Sequence, residues 1–150
     1  MKLVGIDIAK YEHAAFIMEA STGESLCDPF FFKNNKEGFK KLYTELNKYS
    51  KNELLIGMED TGHYNFAIES SLLAEGYKVA LINPITTKSL RKASLKSVKS
   101  DKEDALLITK ALLDKAYYRI ISIQDEKLKE AKELTRYRTQ LTLEMNRKKN

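Results

Sequence analysis

The stretch Leu3-Val4-Gly5-Ile6-Asp7-Ile8 decides the fold, because its short apolar run leads into a carboxylate, Asp7. A second run, Leu54-Leu55-Ile56-Gly57-Met58-Glu59, has the same form, and both are typical of buried strands. Side chains alternate along a strand, so each glycine shares a face with the acid two residues later. A bare face beside a strand-end carboxylate suits close approach by a ligand or ion. The two runs therefore predict paired strands with acids at one edge.

A third acidic segment, Lys99-Ser100-Asp101-Lys102-Glu103-Asp104-Ala105, follows later in the chain. Its two aspartates are three residues apart, which places both on one face of a helix. Ser100 and Glu103 have the spacing of a capping box, so we interpret Glu103 as a capping residue rather than a ligand. The candidate catalytic and metal-binding residues are Asp7, Glu59, Asp101 and Asp104.

Carboxylate clusters of this kind suit Mg²⁺ or Mn²⁺, since both ions accept oxygen ligands. A pair of such ions is the usual apparatus for cutting or joining phosphodiesters. The sequence does not distinguish the two metals, nor one bound ion from two. It therefore predicts a divalent-metal site that acts on a nucleic-acid backbone.

The remaining apolar runs and turn residues predict a sheet flanked by helices. Strands are expected at 2–8, 13–19, 25–32, 53–59 and 78–82, and helices at about 34–49, 64–74, 86–93, 101–117 and from 125 onward. Residues 120–123 are interpreted as an extended link. This order predicts an α/β fold with a mixed five-stranded sheet, in which the first and fourth strands lie parallel after a helical crossover.

Length and composition narrow the class of protein. A chain of 150 residues is one domain by length, and 43% hydrophobic with 31% charged residues is typical of a soluble globular protein. No apolar run reaches the length of a membrane span, and the N-terminus lacks the layout of a signal peptide. We therefore expect no membrane association, and the single cysteine, Cys27, indicates a reducing, cytoplasmic setting.

Positive charge is unevenly distributed along the chain. The net charge is +5, and no acidic residue stands between Glu75 and Asp101, a stretch with several lysines and one arginine. Clustered positive charge beside a carboxylate site is typical of a phosphate-backbone binder. A solvated lysine-rich surface is the alternative. The candidate nucleic-acid contacts are Lys10, His63, Lys88, Arg91, Lys92, Lys96 and Lys99.

Three segments carry a resemblance to a known family. In order and spacing, the residues at 5–10, 58–64 and 99–105 resemble the three signatures of the DEDD transposases. These insertion-sequence recombinases have an N-terminal RuvC-like domain of the ribonuclease H fold, and the pilin-gene inverting recombinases are their relatives. The resemblance covers nearly the whole chain. It implies that Asp7, Glu59, Asp101 and Asp104 jointly hold Mg²⁺ (or Mn²⁺) for DNA strand cleavage and rejoining.

The same resemblance implies a wider organisation. Residues 1–120 would form the RuvC-like catalytic domain, and residues 121–150 would begin a connecting helix whose apolar stripe approximates a coiled-coil seam. A serine-bearing C-terminal domain, absent from this chain, would complete the full-length protein. DNA, a structured guide RNA and further copies of the protein would be its partners, and this fragment alone would not complete recombination.

Three other classes of function share some of these features. A non-catalytic RNA- or DNA-binding module would use the four acids structurally, and a stand-alone RuvC-like nuclease would cut without strand transfer. A sugar-kinase-like phosphotransferase also opens on Gly5-Ile6-Asp7, but it requires a second glycine-rich phosphate loop. With six glycines and no Gly-Gly pair, the chain offers no such loop.

Overall fold

A computed structural model describes residues 1–60, 63–93 and 100–149. Within these ranges the chain forms one mixed sheet of six strands in the order β3-β2-β1-β4-β5-β6. The strands are β1 (Lys2–Asp7), β2 (Glu12–Glu19), β3 (Phe30–Lys33), β4 (Leu54–Glu59), β5 (Lys78–Ile82) and β6 (Tyr118–Ile121). The helices are α1 (Lys36–Leu46), α2 (Phe66–Ala74), α3 (Pro84–Ala93), α4 (Asp101–Ala111) and α5 (Ile123–Lys149).

Strand β1 lies at the centre of the sheet. It pairs antiparallel with β2 and parallel with β4, where Gly5 is opposite Gly57. Strand β5 is parallel to β4 and places Ile82 opposite Glu59. The carboxyl ends of β1, β4 and β5 therefore meet at one edge, which confirms the predicted parallel pairing of the first and fourth strands.

Helices cover both faces of the sheet. Leucines of α1 and α2 pack on one face with the side chains of Val4, Ile6 and Ile56, and we call this the α1/α2 face. Helix α4 packs on the other face against Leu3 and Leu55, with Leu90 of α3 at its margin. We call this second layer the α3/α4 face. Because Asp7 and Glu59 follow Leu3 and Leu55 at even spacing, both acids belong to the α3/α4 face.

The fold class is confirmed, but the sheet has one strand more than the five predicted. Residues 118–121 form the edge strand β6, antiparallel to β5, rather than a link. Its periodicity is weak because only Ile121 is buried. The helix expected at 101–117 ends earlier, at Ala111, and a short 3₁₀ turn at Lys115–Tyr117 precedes β6.

The third strand and the first helix also differ at their starts. The strand predicted at 25–32 pairs as a strand only from Phe30, and the earlier part makes a single bridge between Met18 and Ser25. Pro29 interrupts the run, because proline has no backbone N–H to donate to a ladder. The cap of α1 is Asn35 rather than Asn34, since the Asn35 side chain accepts the backbone N–H of Gly38 at 2.9 Å.

In the described parts of the chain, none of the helices combines the length and apolar character that a membrane crossing requires.

Candidate carboxylate site at the sheet edge

Two of the predicted acids lie side by side at the carboxyl edge of the sheet. Asp7 ends β1 and Glu59 ends β4, and both are partly buried. The register pairs Ile6 with Met58, so the next residue on each strand is the acid. The structure thus brings together these two carboxylates, as the sequence predicts.

Helix α4 brings the other two acids toward this edge. Its N-cap is Ser100, whose hydroxyl accepts the backbone N–H of Glu103 at 3.3 Å, as the capping-box spacing predicts. Asp104 is only 8% exposed, whereas Asp101, one turn earlier, is exposed. The two helical aspartates therefore have different environments, one enclosed and one open to solvent.

The two strand glycines serve the packing of α4. A Cβ atom on Gly5 would meet the Ala105 carbonyl and the Thr109 hydroxyl, and would lie 2.5 Å from the Thr109 backbone nitrogen. A Cβ atom on Gly57 would lie 2.7 Å from a methyl of Leu112. The prediction that these glycines keep a face bare for a ligand is therefore wrong, because the helix itself occupies that space.

The four acids influence one another electrostatically. Burial, together with the negative charges of Asp104, Asp101 and Glu59, raises the pKa of Asp7 from its ordinary value of 3.8 to about 7. The nearby guanidinium of Arg91 acts in the opposite direction. Burial and neighbouring like charges both disfavour the ionised form, so the raised pKa of Asp7 follows from its partly buried position among the other acids.

Helix α3 contributes two polar side chains to the site. One guanidinium nitrogen of Arg91 lies 2.5 Å from Asp104 Oδ1. The hydroxyl of Thr87 contacts Glu59 Oε1 and also lies 3.0 Å from the Pro84 carbonyl oxygen. The sequence reasoning missed Thr87, although a threonine and an arginine four residues apart after a helix-starting proline share one helix face.

The donor set fits a hard divalent cation, but its geometry is not that of a ready-made metal centre. Carboxylate oxygens are the ligands that Mg²⁺ and Mn²⁺ prefer. Over the ranges that the structure describes, no three His, Cys, Asp or Glu side chains are grouped so that they could hold one ion. Ligation of one ion by three of these acids therefore requires side chains to move.

The predicted nucleic-acid contacts are distributed around the same edge. Lys88 and Lys92 are exposed on α3, and Lys10 is exposed just after β1 with its Nζ 4.9 Å from the ring centroid of Tyr11. Arg91 lies inside the site, paired with Asp104. Lys96, Lys99 and the side chain of His63 lie outside the described residues. Contact of any of these residues with nucleic acid stays a prediction.

A buried histidine supports the turn that follows Asp7. His13 is fully buried, and its Nδ1 accepts the backbone N–H of Ala9 at 3.2 Å. Burial lowers the pKa of His13, because the charged imidazolium loses solvation. His13 lies in the strand predicted at 13–19, and strand periodicity alone gives no sign of its contact with the turn.

The fold is that of a RuvC-like domain, as two solved structures show. The chain superposes on RuvC of Thermus thermophilus in complex with a Holliday junction substrate with a TM-score of 0.52 and 14% identity, covering 73% of this chain and 90% of that one. A second Thermus thermophilus RuvC structure gives a TM-score of 0.56 at 11% identity, covering 81% of this chain and 100% of that one.

The family is shown by sequence. The sequence model of one protein family, the DEDD transposases of the IS110 type, matches residues 4–150. The description of this family is "Transposase", and the chain belongs to it. The pilin gene-inverting protein of Moraxella bovis is 28% identical over 109 residues, and that of Moraxella lacunata is equally similar. The match covers 71% of this chain and 33% of each relative, so the chain spans about a third of their length. The resemblance inferred from the three motifs is confirmed.

Proposed function

We propose that the chain is the metal-dependent catalytic domain of a DNA transposase, which cleaves DNA strands and transfers them during transposition. The observation that carries this proposal is the meeting of strand-end and helix-borne acids at one edge, where burial and the charges of the other three acids raise the pKa of Asp7. Membership of a transposase family and a RuvC-like fold support the same activity. Residues 1–120 would form this domain.

The proposed metal ligands are Asp7, Glu59, Asp101 and Asp104. A bound Mg²⁺ or Mn²⁺ would polarise a phosphoryl oxygen and stabilise the charge that develops there. The chain's own part is to gather and orient the acids. Four neighbouring carboxylates repel one another and also repel a DNA backbone, so a cation at this edge relieves both repulsions.

The proposed partners are DNA, a structured guide RNA and further copies of the full-length protein. The exposed lysines of α3 stand next to the acids, where they would contact backbone phosphates. Helix α5, which would begin the connection to a serine-bearing domain, carries the exposed apolar side chains of Leu128, Leu134 and Leu141. Such residues are available for packing against another helix.

A non-catalytic nucleic-acid-binding module is the second candidate. The observation that favours it is that the described acids form no group ready to hold an ion. Under this hypothesis the acids stabilise the fold through ion pairs such as that between Arg91 and Asp104. The two candidates differ in what they predict for metal affinity.

Mn²⁺ titration followed by electron paramagnetic resonance tests the proposal. Asp101 is exposed, so Asp101→Asn should leave the fold intact while lowering Mn²⁺ affinity by about 10-fold or more, since one charged oxygen ligand is lost. Glu103→Gln is the matched control, on the same helix turn but assigned to no metal, and should bind as the unchanged chain does. Equal affinity in both variants, or no Mn²⁺ binding by the unchanged chain, would favour the non-catalytic module.

A further inference from the structure

Helix α3 lies beside the acids and presents two residues to them one turn apart. Thr87 is 1% exposed and contacts Glu59, and Arg91 is paired with Asp104. On the same helix, Lys88 and Lys92 are exposed. One side of α3 therefore contacts two of the proposed metal ligands, while the other is open to solvent.

The Thr87 hydroxyl carries one proton and has two acceptors within reach. A threonine in the first turn of a helix commonly bonds a carbonyl three or four residues back, and the Thr87 hydroxyl lies 3.0 Å from the Pro84 carbonyl. Glu59 Oε1 is the second acceptor, and because a carboxylate oxygen accepts a stronger hydrogen bond than a neutral carbonyl does, the hydroxyl donates to Glu59. It restrains the rotation of a side chain that ends β4.

Each of the two carboxylates is held through one oxygen. Thr87 contacts Glu59 Oε1, and Arg91 donates to Asp104 Oδ1. No described residue donates a hydrogen bond to Glu59 Oε2 or Asp104 Oδ2. A carboxylate held by one oxygen has a fixed orientation and retains the other oxygen for a cation.

We propose that Thr87 is the positioning residue for Glu59, and that its hydroxyl orients this carboxylate for metal ligation. The inference rests on the proposed function and adds to it a residue outside the four acids. Groups that hydrogen-bond to metal ligands fix the ligand's orientation, and their loss commonly lowers metal affinity by about 10–100-fold. Arg91 shows the same arrangement at Asp104, which identifies α3 as the element that carries such contacts.

Mn²⁺ affinity measured for a set of threonine variants tests this role. Thr87→Val keeps the side-chain shape and removes the hydroxyl, and should weaken Mn²⁺ binding by about 10–100-fold. Thr87→Ser restores the hydroxyl and should recover the affinity of the unchanged chain. Thr86→Val is the matched control: the Thr86 backbone N–H donates to the Asn83 carbonyl, so the control leaves that bond in place. It should bind Mn²⁺ normally.

The melting temperature of each variant separates positioning from folding. If Thr87→Val does not fold, Thr87→Ala removes the same hydroxyl without filling the space and takes its place. Unchanged Mn²⁺ affinity without the hydroxyl overturns the inference. Failure of Thr87→Ser to restore affinity also overturns it, because the methyl group would then be what matters. Absence of Mn²⁺ binding by the unchanged chain overturns the proposed function and this inference together, whereas normal binding by Thr87→Val overturns the inference alone.

Discussion

The two faces of the sheet are packed differently. Among the described residues, the buried cluster of the α1/α2 face contains one alanine and is otherwise built from large side chains such as Leu42, Ile68 and Leu72. The cluster of the α3/α4 face contains four alanines, and Gly5 and Gly57 lie beneath its helix. Small residues let a helix approach a sheet closely, while large ones bury more apolar area.

Because of this difference, one face contributes mainly to stability and the other determines where the acids lie. The α1/α2 face supplies apolar burial on the side of the sheet opposite to the acids. The α3/α4 face buries less apolar area because its residues are small. For the same reason α4 lies close enough to β1 to place Asp104 near Asp7. Substitutions on the two faces should therefore change stability and metal affinity in different proportions.

The largest expected effect on stability belongs to the α1/α2 face. Leu72 is fully buried there, and Leu72→Ala should lower the free energy of unfolding by about 2–5 kcal/mol because it leaves a cavity. Mn²⁺ affinity of the folded variant should be unchanged. Chemical denaturation and Mn²⁺ titration measure the two quantities, and Leu113→Ala, at a residue 55% exposed, is the control with little effect on either. A parallel loss of Mn²⁺ affinity would show that the two faces are not separable.

Gly5→Ala should lower the stability less than Leu72→Ala does, but it should lower the Mn²⁺ affinity more. The new methyl of Gly5→Ala would meet the backbone of Ala105 and Thr109, so α4 must move outward at a cost of about 1–3 kcal/mol. The movement carries Asp101 and Asp104 away from Asp7, and Mn²⁺ affinity should fall.

Gly57→Ala is the matched variant for this comparison. Its methyl would meet the flexible end of Leu112, which can rotate away, so both stability and Mn²⁺ affinity should change less than in Gly5→Ala. Equal effects of the two substitutions would mean that backbone contact with α4 does not place the acids.

The smallest expected effect is the pH dependence of the metal-free protein. The pKa of Asp7 is about 7 in the folded chain and near 3.8 when unfolded, so the folded state retains a proton that the unfolded state loses. The contribution of Asp7 to stability is therefore greatest below pH 4 and falls as the pH rises toward 7. At pH 8, Asp7→Asn should stabilise the metal-free protein by about 1–2 kcal/mol, allowing for solvent screening.

The measurement is the difference in unfolding free energy between the unchanged chain and Asp7→Asn from pH 5 to pH 8. The comparison with the variant is required because buried His13 also makes the stability depend on pH, with the opposite sign. The pKa of His13 is lowered by folding, so stability falls as the pH drops below 6.5, the ordinary pKa of histidine. The same substitution should abolish the stabilisation that Mn²⁺ confers on the unchanged chain. A difference that does not vary over this pH range would contradict the raised pKa.

The main features of the fold and of the site could be read from local patterns. Apolar runs ending in Asp7 and Glu59, and the capping signal at Ser100, are carried by neighbouring residues and need no knowledge of the rest of the chain. They are enough to predict the parallel central strands and the acid-bearing helix, and the resemblance of three motifs to known signatures indicates the family. Edge strand β6 was missed because a four-residue strand with one buried side chain has almost no periodicity.

The sequence by itself determined which acids the chain carries, where each stands on its strand or helix, and the family to which the chain belongs. Only the tertiary structure decided what surrounds them: that α4 rather than a ligand fills the space over Gly5, that Arg91 pairs with Asp104, and that Thr87 reaches Glu59. The physical reason is the range of the interactions. Strand alternation and helix capping act within a few residues, whereas these contacts join segments brought together only when helices pack on the sheet.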